Sequence, residues 1–578
     1  MRTTRLRTRL GAAALALALV TAACGGDDDD TSDAPADSAV DEPDTSDEPA
    51  EDGDDAAEPA DDAGDDDATD TTEAEEEFIP AGGGSSEIKL EDADYGEPVE
   101  GGTLRLLLRL DANQFDPAVT TDTTGVVTGA QVYEGLVENF RGEISPALAE
   151  SWEVSDDQLT YTFDLRDGVV FHSGKEMTAD DVVFSLNRVM DPATNSPNIN
   201  SYDPIASVEA PDPDTVVITL DKPHAPIMYL LASLSSSIID QDVLDAGGIV
   251  APPSGGTGPF MLSEHNVGRD IQLVAHEDYW QEGKPYLDGI EITWNPDDNA
   301  RAAAIRSNSV DVLFRPAPEF IESLKEDPSI KWYGGSGSLS LNLLMNSSIE
   351  PFDDERVRQA VFYALDRQVL LDVANSGYGI PLNAGHLPPD RMGGLEEPVY
   401  GAPDIEKSKA LLAEAGYPDG FDVELTVIAT SAFQVRQAEV EQQQLAEVGI
   451  NVTLNPVEAQ VATDATRSGD FEMYQSGFGL RADPDERASA AFGTGGGLNY
   501  ANWSDPEFDA LLEEARAEGD PAVRDELYQQ ADMILATRGP AAFTILTADF
   551  DVMWEDVYGY YADPTPTFGV YRFLWMSE

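Results

Sequence analysis

Two periodicities divide the chain. Residues 159–165 (LTYTFDL) and 215–220 (TVVITL) alternate apolar with polar positions, which is the period of a strand with one covered face. Residues 102–110 (GTLRLLLRL) form an apolar-rich early strand. Residues 180–190 and 353–366 instead carry apolar side chains at helical spacing. Residues 404–415 (DIEKSKALLAEA) predict a helix with an acidic cap at its start and Gly416 at its stop. Residues 505–517 and 521–537 predict two more amphipathic helices. Strand-like and helix-like runs alternate along the chain, which points to mixed α/β lobes. No unit of 20–50 residues repeats, so a solenoid is excluded. The folded part, from about Tyr95 to Glu578, is long enough for two or three domains with cores of their own.

The first residues follow a different logic. Arg2, Arg5, Arg7 and Arg9 precede an apolar run from Leu10 to Val20, then small residues Thr21, Ala22 and Ala23, then Cys24. A charged start, a short apolar centre and a small-residue cleavage site predict a secretory signal over residues 1–23. Its apolar run is shorter than the roughly 20 residues a membrane helix needs. Cys24, the chain's one cysteine, stands where bacterial lipoprotein signals place the residue to be lipidated, although Thr21 occupies a position usually held by Leu or Val. A single cysteine also precludes an internal disulfide.

Charge enlarges the picture. From Asp27 to Glu77, 26 of 51 residues are acidic and none is basic. Such a stretch cannot bury enough apolar surface to offset its ordering entropy, so residues 24–95 are expected to form a disordered tether behind the lipidated cysteine. Setting aside those 26 acids and the four signal arginines leaves 85 acidic against 29 basic residues, a net charge near −56. That excludes a nucleic-acid binder, which needs a basic face, and opposes docking on anionic lipid.

Catalytic patterns are missing. His172, His224, His265, His276 and His386 lack the spacing of a zinc site. There is no GxSxG elbow, Walker loop or dinucleotide fingerprint, and the glycine-rich pieces at 255–258 and 493–497 fit neither phosphate-loop pattern. The expectation is therefore a binder without catalytic residues, metal or cofactor.

Residues 146–185 carry the most specific pattern: Leu148-Ala149, Ser151-Trp152, Tyr161-Thr162-Phe163, Leu165-Arg166, Gly168-Val169, Phe171, Gly174, Thr178-Ala179 and Asp181-Val182. It resembles the extracellular solute-binding proteins of family 5, the dipeptide, oligopeptide and nickel importer class. The resemblance continues through Gly101 to Leu104, Phe115-Asp116-Pro117, VYEGLV at 132–137, GTGPF at 256–260, Tyr279-Trp280, PYLDGI at 285–290, DERVRQA at 354–360 and YALDR at 363–367. Most of these residues read as packing. Trp152, Tyr161 and Phe163 are spaced to fill a small domain, Arg356 and Arg358 to form ion pairs, and Gly256, Gly258 and Pro259 to shape a crossing between lobes.

The resemblance implies an α/β, periplasmic-binding-protein-like two-lobe clamp that closes by a hinge, with mixed sheets and an extra small domain. Lobe I is expected over 96–143, 231–344 and 546–578, the small domain over 144–230, and lobe II over 345–545. It further implies capture of an extracellular solute and delivery to an ABC permease with its ATPase, by a monomer lipid-anchored to the outer face of the membrane; an extracellular sensor of the same fold is the alternative, and a secreted hydrolase ranks below it. Peptide binders of the family hold the ligand's amine with an aspartate four residues before the proline of an acidic-Pro step. Here that count from Pro484 lands on Leu480, beside Arg481. Arg481 then either binds an acceptor on the ligand or pairs with Asp483 or Asp485, and modified peptides, opine-like compounds and oligosaccharides stand beside simple peptides as ligands. The expected lining is Asn113, Gln114 and Phe115 in the first loop, Ser338 and Ser340 at the entry to lobe II, and Phe478, Leu480 and Arg481 opposite.

Overall fold

The computed structural model describes residues 97–140, 143–248, 254–560 and 569–577; the signal segment, Cys24 and the acidic tether lie outside the described residues. The fold is α/β. The early strand forms over Thr103–Leu108 and pairs in parallel with Gly289–Trp294 on one side and Val312–Phe314 on the other. An interior parallel strand is covered on both faces, which is why its leucines run together instead of alternating. Strand Thr215–Leu220 has the strict alternation its sequence predicts, with Val216 and Ile218 fully buried.

The helices start where side-chain caps allow. Asp404 accepts the Lys407 N–H ahead of helix Ile405–Glu414, and Gly416 (φ +101°) turns the chain away after it. Helix Ala179–Met190 opens with a capping box of Thr178 and Asp181. Asp505 and Asp520 cap helices Pro506–Ala517 and Pro521–Arg538, each with proline in the first turn. The helix predicted over 353–366 is in fact shorter. It spans Glu355–Ala364, Leu365 is extended, and Asp366 caps a new helix, Arg367–Ala374.

Eleven strands share one sheet, in the order Ile450–Val457, Phe421–Ile428, Met473–Gly479, Ile330–Met345, Ala541–Trp554, Val312–Phe314, Thr103–Leu108, Gly289–Trp294, Asp270–Ala275 and Phe260–Asn266, with Gly379–Pro381 added on Ala541–Trp554. Ile330–Met345 and Ala541–Trp554 are the long members, at 16 and 14 residues. They run antiparallel from one half of the sheet into the other, and their register shifts between Ser336 and Ser340. A Cβ on Gly337 would lie 1.7 Å from the Thr547 carbonyl oxygen, so only glycine permits that approach. Each half has its own core. Leu104, Leu106, Phe260, Ile290 and Ile292 fill one, and Leu341, Leu343, Val361, Leu425 and Leu445 fill the other.

A separate four-stranded antiparallel sheet orders Ala149–Val154, Thr160–Leu165, Thr215–Leu220 and Ile205–Asp212, and helix Ala179–Met190 packs on it around Phe163, Phe171, Val182 and Leu186. Motif residues far apart in sequence converge where this sheet meets the main one. Glu134 is half-buried and accepts from the Tyr279 hydroxyl (2.6 Å), the Trp280 indole N–H (3.1 Å) and the Thr257 hydroxyl (2.9 Å). Gly256 is required here, because its Cβ would sit 1.9 Å from the Val132 carbonyl oxygen. Arg356 pairs with Asp354, as its spacing suggests. Arg358 does not follow that expectation: it is buried and donates to the carbonyls of Phe352, Arg538 and Gly539, locking the end of helix Pro521–Arg538.

His172 joins the same crossing. Its ring nitrogens contact the Ser254 hydroxyl and the Gly258 carbonyl, both at 2.9 Å, and His276 stands edge-on at 4.8 Å. Burial lowers the His172 pKa from 6.5 to about 4. Its neutral form therefore supports the fold fully above about pH 6.5, and that support is lost as pH falls towards 4, at about 1.4 kcal/mol per pH unit. Urea titrations between pH 7 and 4 should show the decline. In His172→Phe the decline should flatten by up to about 3 kcal/mol over that range.

Candidate ligand-binding junction

The two long strands create a polar site where they pass between the cores. The register shift exposes the Ser338 backbone N–H, which donates to Asp549 Oδ2 at 3.1 Å, while the Ser338 hydroxyl donates to the same oxygen at 2.8 Å. Arg315, just past strand Val312–Phe314, brings its guanidinium to 2.9 Å from that oxygen. The Arg315 backbone N–H donates to Asp551 Oδ1 at 2.9 Å, and the Tyr560 hydroxyl donates to Asp551 Oδ2. Arg315 has φ +45°, a left-handed conformation that side-chain-bearing residues adopt at a cost. Burial pushes the Asp551 carboxyl up, against the Tyr560 and Arg315 hydrogen bonds. Asp549 and Arg315 remain partly open, at 27% and 36% side-chain exposure, so this is a charged surface at the junction and not a sealed core pair.

The expected lining residues divide into two groups. Ser340 pairs in register with Phe478, and the Leu480 N–H donates to the Ser338 carbonyl at 2.6 Å, so these four are brought together. Ser340, Phe478 and Leu480 are buried, with Phe478 edge-on to Phe492 at 5.4 Å. Arg481 is exposed and pairs with Glu486 at 3.1 Å, not with Asp483 or Asp485. Those two aspartates turn inward because Asp483 caps helix Pro484–Phe492. Asp483 reaches Arg524 at 2.6 Å and Asp485 reaches Arg516 at 2.8 Å. The first loop makes its own set of contacts. The Asn113 N–H donates to Asp122, the Gln114 amide donates to the Val119 carbonyl, and Phe115 is buried edge-on to His265 at 4.9 Å. Among the described residues no hydrogen bond, ion pair or ring contact joins this loop to the other group.

Arg315, Asp549 and Asp551 escaped the sequence reading. The signal available was the alternation ADFDV inside the apolar run Ala541–Trp554, which puts two acids on one face of a strand. Among the described residues no group of three or more His, Cys, Asp or Glu could hold a metal ion, and no helix is long and apolar enough to cross a membrane.

The sequence pattern of "Bacterial extracellular solute-binding proteins, family 5 Middle" matches residues 143–500. The chain belongs to this family. The solute-binding protein is 33% identical to Heme-binding protein A of Haemophilus influenzae over 486 residues, covering 78% of this chain and 88% of that one. It is 32% identical to the Dipeptide-binding protein of Escherichia coli over 485 residues, covering 78% and 90%. The ABC transporter-associated periplasmic binding protein DppA from Helicobacter pylori, solved with the peptide STSA, superposes with a TM-score of 0.73 at 29% identity, covering 83% of this chain and 99% of that one. The two-lobe binding-protein fold expected from the motifs is thus present. The protein is an extracytoplasmic solute-binding component of an ABC importer and not an enzyme.

Proposed function

We propose that this solute-binding protein captures a peptide-like or other small polar solute at the junction of its two cored halves, and that it is held to the outer face of the membrane by a lipid on Cys24. The observation that carries the reading is the partly open Arg315–Ser338–Asp549 group on the two crossing strands. Solute sites of clamp proteins lie between rigid bodies, where a few polar groups orient the ligand and closure expels water. Lobe I is assigned to 96–143, 231–344 and 546–578, lobe II to 345–545, and the small domain to 144–230. The shift between Ser336 and Ser340 then lies at the hinge. The relatives named for heme and for dipeptides differ in ligand, while the peptide-bound structural neighbour favours the peptide-like class. Closure and delivery are linked when the permease binds the closed form better than the open one.

Native mass spectrometry of freshly purified protein tests the class directly: a co-purified peptide or other small polar compound supports it, and a bound heme overturns it. A ligand at 100 times its dissociation constant adds about 2.7 kcal/mol of stability, which a thermal-shift screen reads. Arg481→Ala should weaken anionic ligands several-fold while leaving neutral ones unchanged. Equal affinities in both variants remove Arg481 from the site.

A further inference from the structure

The small domain holds the two lobes with unequal strength. Towards lobe I, Arg188 donates to Asp116 at 3.0 Å and the Ser173 hydroxyl to Asp240 at 2.6 Å. The Arg166 guanidinium lies over the Trp280 ring at 4.3 Å, beside the His172 contacts to Ser254 and Gly258. Towards lobe II the described residues show one hydrogen bond, from the Ala225 N–H to the Arg516 carbonyl at 2.8 Å, and no ion pair or ring contact. Arg516 lies in the last turn of helix Pro506–Ala517, whose end carbonyls lack partners within the helix, so Ala225 caps that helix from another domain. A second stretch of the small domain reaches the same turn: a Cβ on Gly519 would lie 3.0 Å from the Gln158 amide. His224, next to Ala225, keeps Nδ1 buried with no hydrogen-bond partner among the described residues. A contact that leaves a buried polar atom unsatisfied is weak.

The side of the sheet shows what this contact can do. Ser338 and Ser340 are two residues apart on strand Ile330–Met345, so they share a face with Phe478, the register partner of Ser340. Phe478 packs in one cluster with Phe508, Leu512 and Ala515 of helix Pro506–Ala517. The helix end that Ala225 caps therefore stands on the junction's side of the sheet. Asp485, paired with Arg516 at 2.8 Å, ties it to the segment leaving Leu480. Because the small domain is fastened to lobe I, lobe II cannot swing open on that side while Ala225 stays on Arg516. The alternative is a permanent interface, which a single hydrogen bond does not make.

We propose that the Ala225–Arg516 contact is a clasp: it forms when the clamp closes over the junction and parts when the clamp opens, so the small domain sets the balance between the two forms. The inference rests on the lobe assignment above and is independent of the ligand class.

The test uses the full chain and reads hydrogen exchange first. One hydrogen bond favours the closed form by roughly 2- to 12-fold. The Ala225 amide of ligand-free protein should be protected to about that extent, against roughly a thousand-fold or more for Ile218 on an inner strand of the small domain's sheet. Equal protection of the two amides makes the interface permanent and overturns the inference. Gln158→Cys with Gly519→Cys, oxidised, should lock the clasp, and Ala225→Pro removes its donor. In X-ray scattering of the monomer, the locked protein should have a smaller radius of gyration than Ala225→Pro. Equal radii, or no disulfide under oxidation, overturn the inference. If the wild type contracts when its co-purified compound is added back while the locked and Ala225→Pro proteins match, hinge closure stands and the clasp falls. Should Ala225→Pro fold poorly, the exchange of the wild type decides.

Discussion

Replacing Arg524 by alanine should lower the stability of the protein by about 3–5 kcal/mol, the usual consequence of removing one member of a buried ion pair. Arg524 and Asp483 are 2.6 Å apart, with side chains 5% and 3% exposed. The guanidinium also donates to the Ala515 carbonyl at 3.1 Å and to the Tyr528 hydroxyl at 3.2 Å. Alanine leaves the Asp483 charge in a medium that cannot solvate it, and it loosens the start of helix Pro484–Phe492, which Asp483 caps. Neighbouring Asp485 already feels that environment: burial pushes its carboxyl up to about 6 even with Arg516 beside it. Urea titration reads the loss. Asp483→Asn combined with Arg524→Met removes both charges, so it should recover part of the loss. A single variant within about 1 kcal/mol of wild type would show that the pair is not needed.

Glu441→Gln should do the opposite, stabilising the protein at pH 8 by up to about 4 kcal/mol and by almost nothing at pH 4. Glu441 lies fully buried on helix Ala432–Ala446, where it accepts from the Gln437 amide at 2.9 Å, and that amide also donates to Thr544. Burial raises its pKa from 4.5 to about 8; the Gln437 and Gln475 amides oppose this only in part, and no cation balances it. The folded chain keeps a proton that the unfolded chain releases above about pH 4.5. Stability from this group is therefore complete below that pH, falls as pH rises through 8 by about 1.4 kcal/mol per unit, and is level above. Glutamine keeps the shape with no proton to lose, so the wild-type slope between pH 5 and 8 should flatten. A difference between the two proteins that does not change with pH would mean Glu441 ionises freely.

Local elements were legible because their causes are local. Alternation at 215–220, the Asp404 cap and the Gly416 stop depend on near neighbours, and the strand and helix form where those signals stand. Asp366 misled because a capping aspartate looks the same at the end of one helix as at the start of the next. Arg358 was read as an ion-pair partner because charge is visible in sequence, whereas the carbonyls of Arg538 and Gly539 that it meets lie about 180 residues away. The step at Asp483-Pro484-Asp485 is the clearest case. Sequence offered its aspartates as partners for Arg481, and helix geometry turned both inward to Arg516 and Arg524.

The sequence alone determined the family, the α/β class and the absence of a catalytic pattern, because those rest on apolar periodicity and on motif residues that pack against near neighbours and each other. Tertiary structure decided which polar groups share a site. Arg315, Ser338 and Asp549 are separated by 23 and 211 residues along the chain, and they meet because two long strands cross between the halves with a register shift at their midpoint. Strand pairing of that range depends on the closure of the whole chain, which no local pattern encodes.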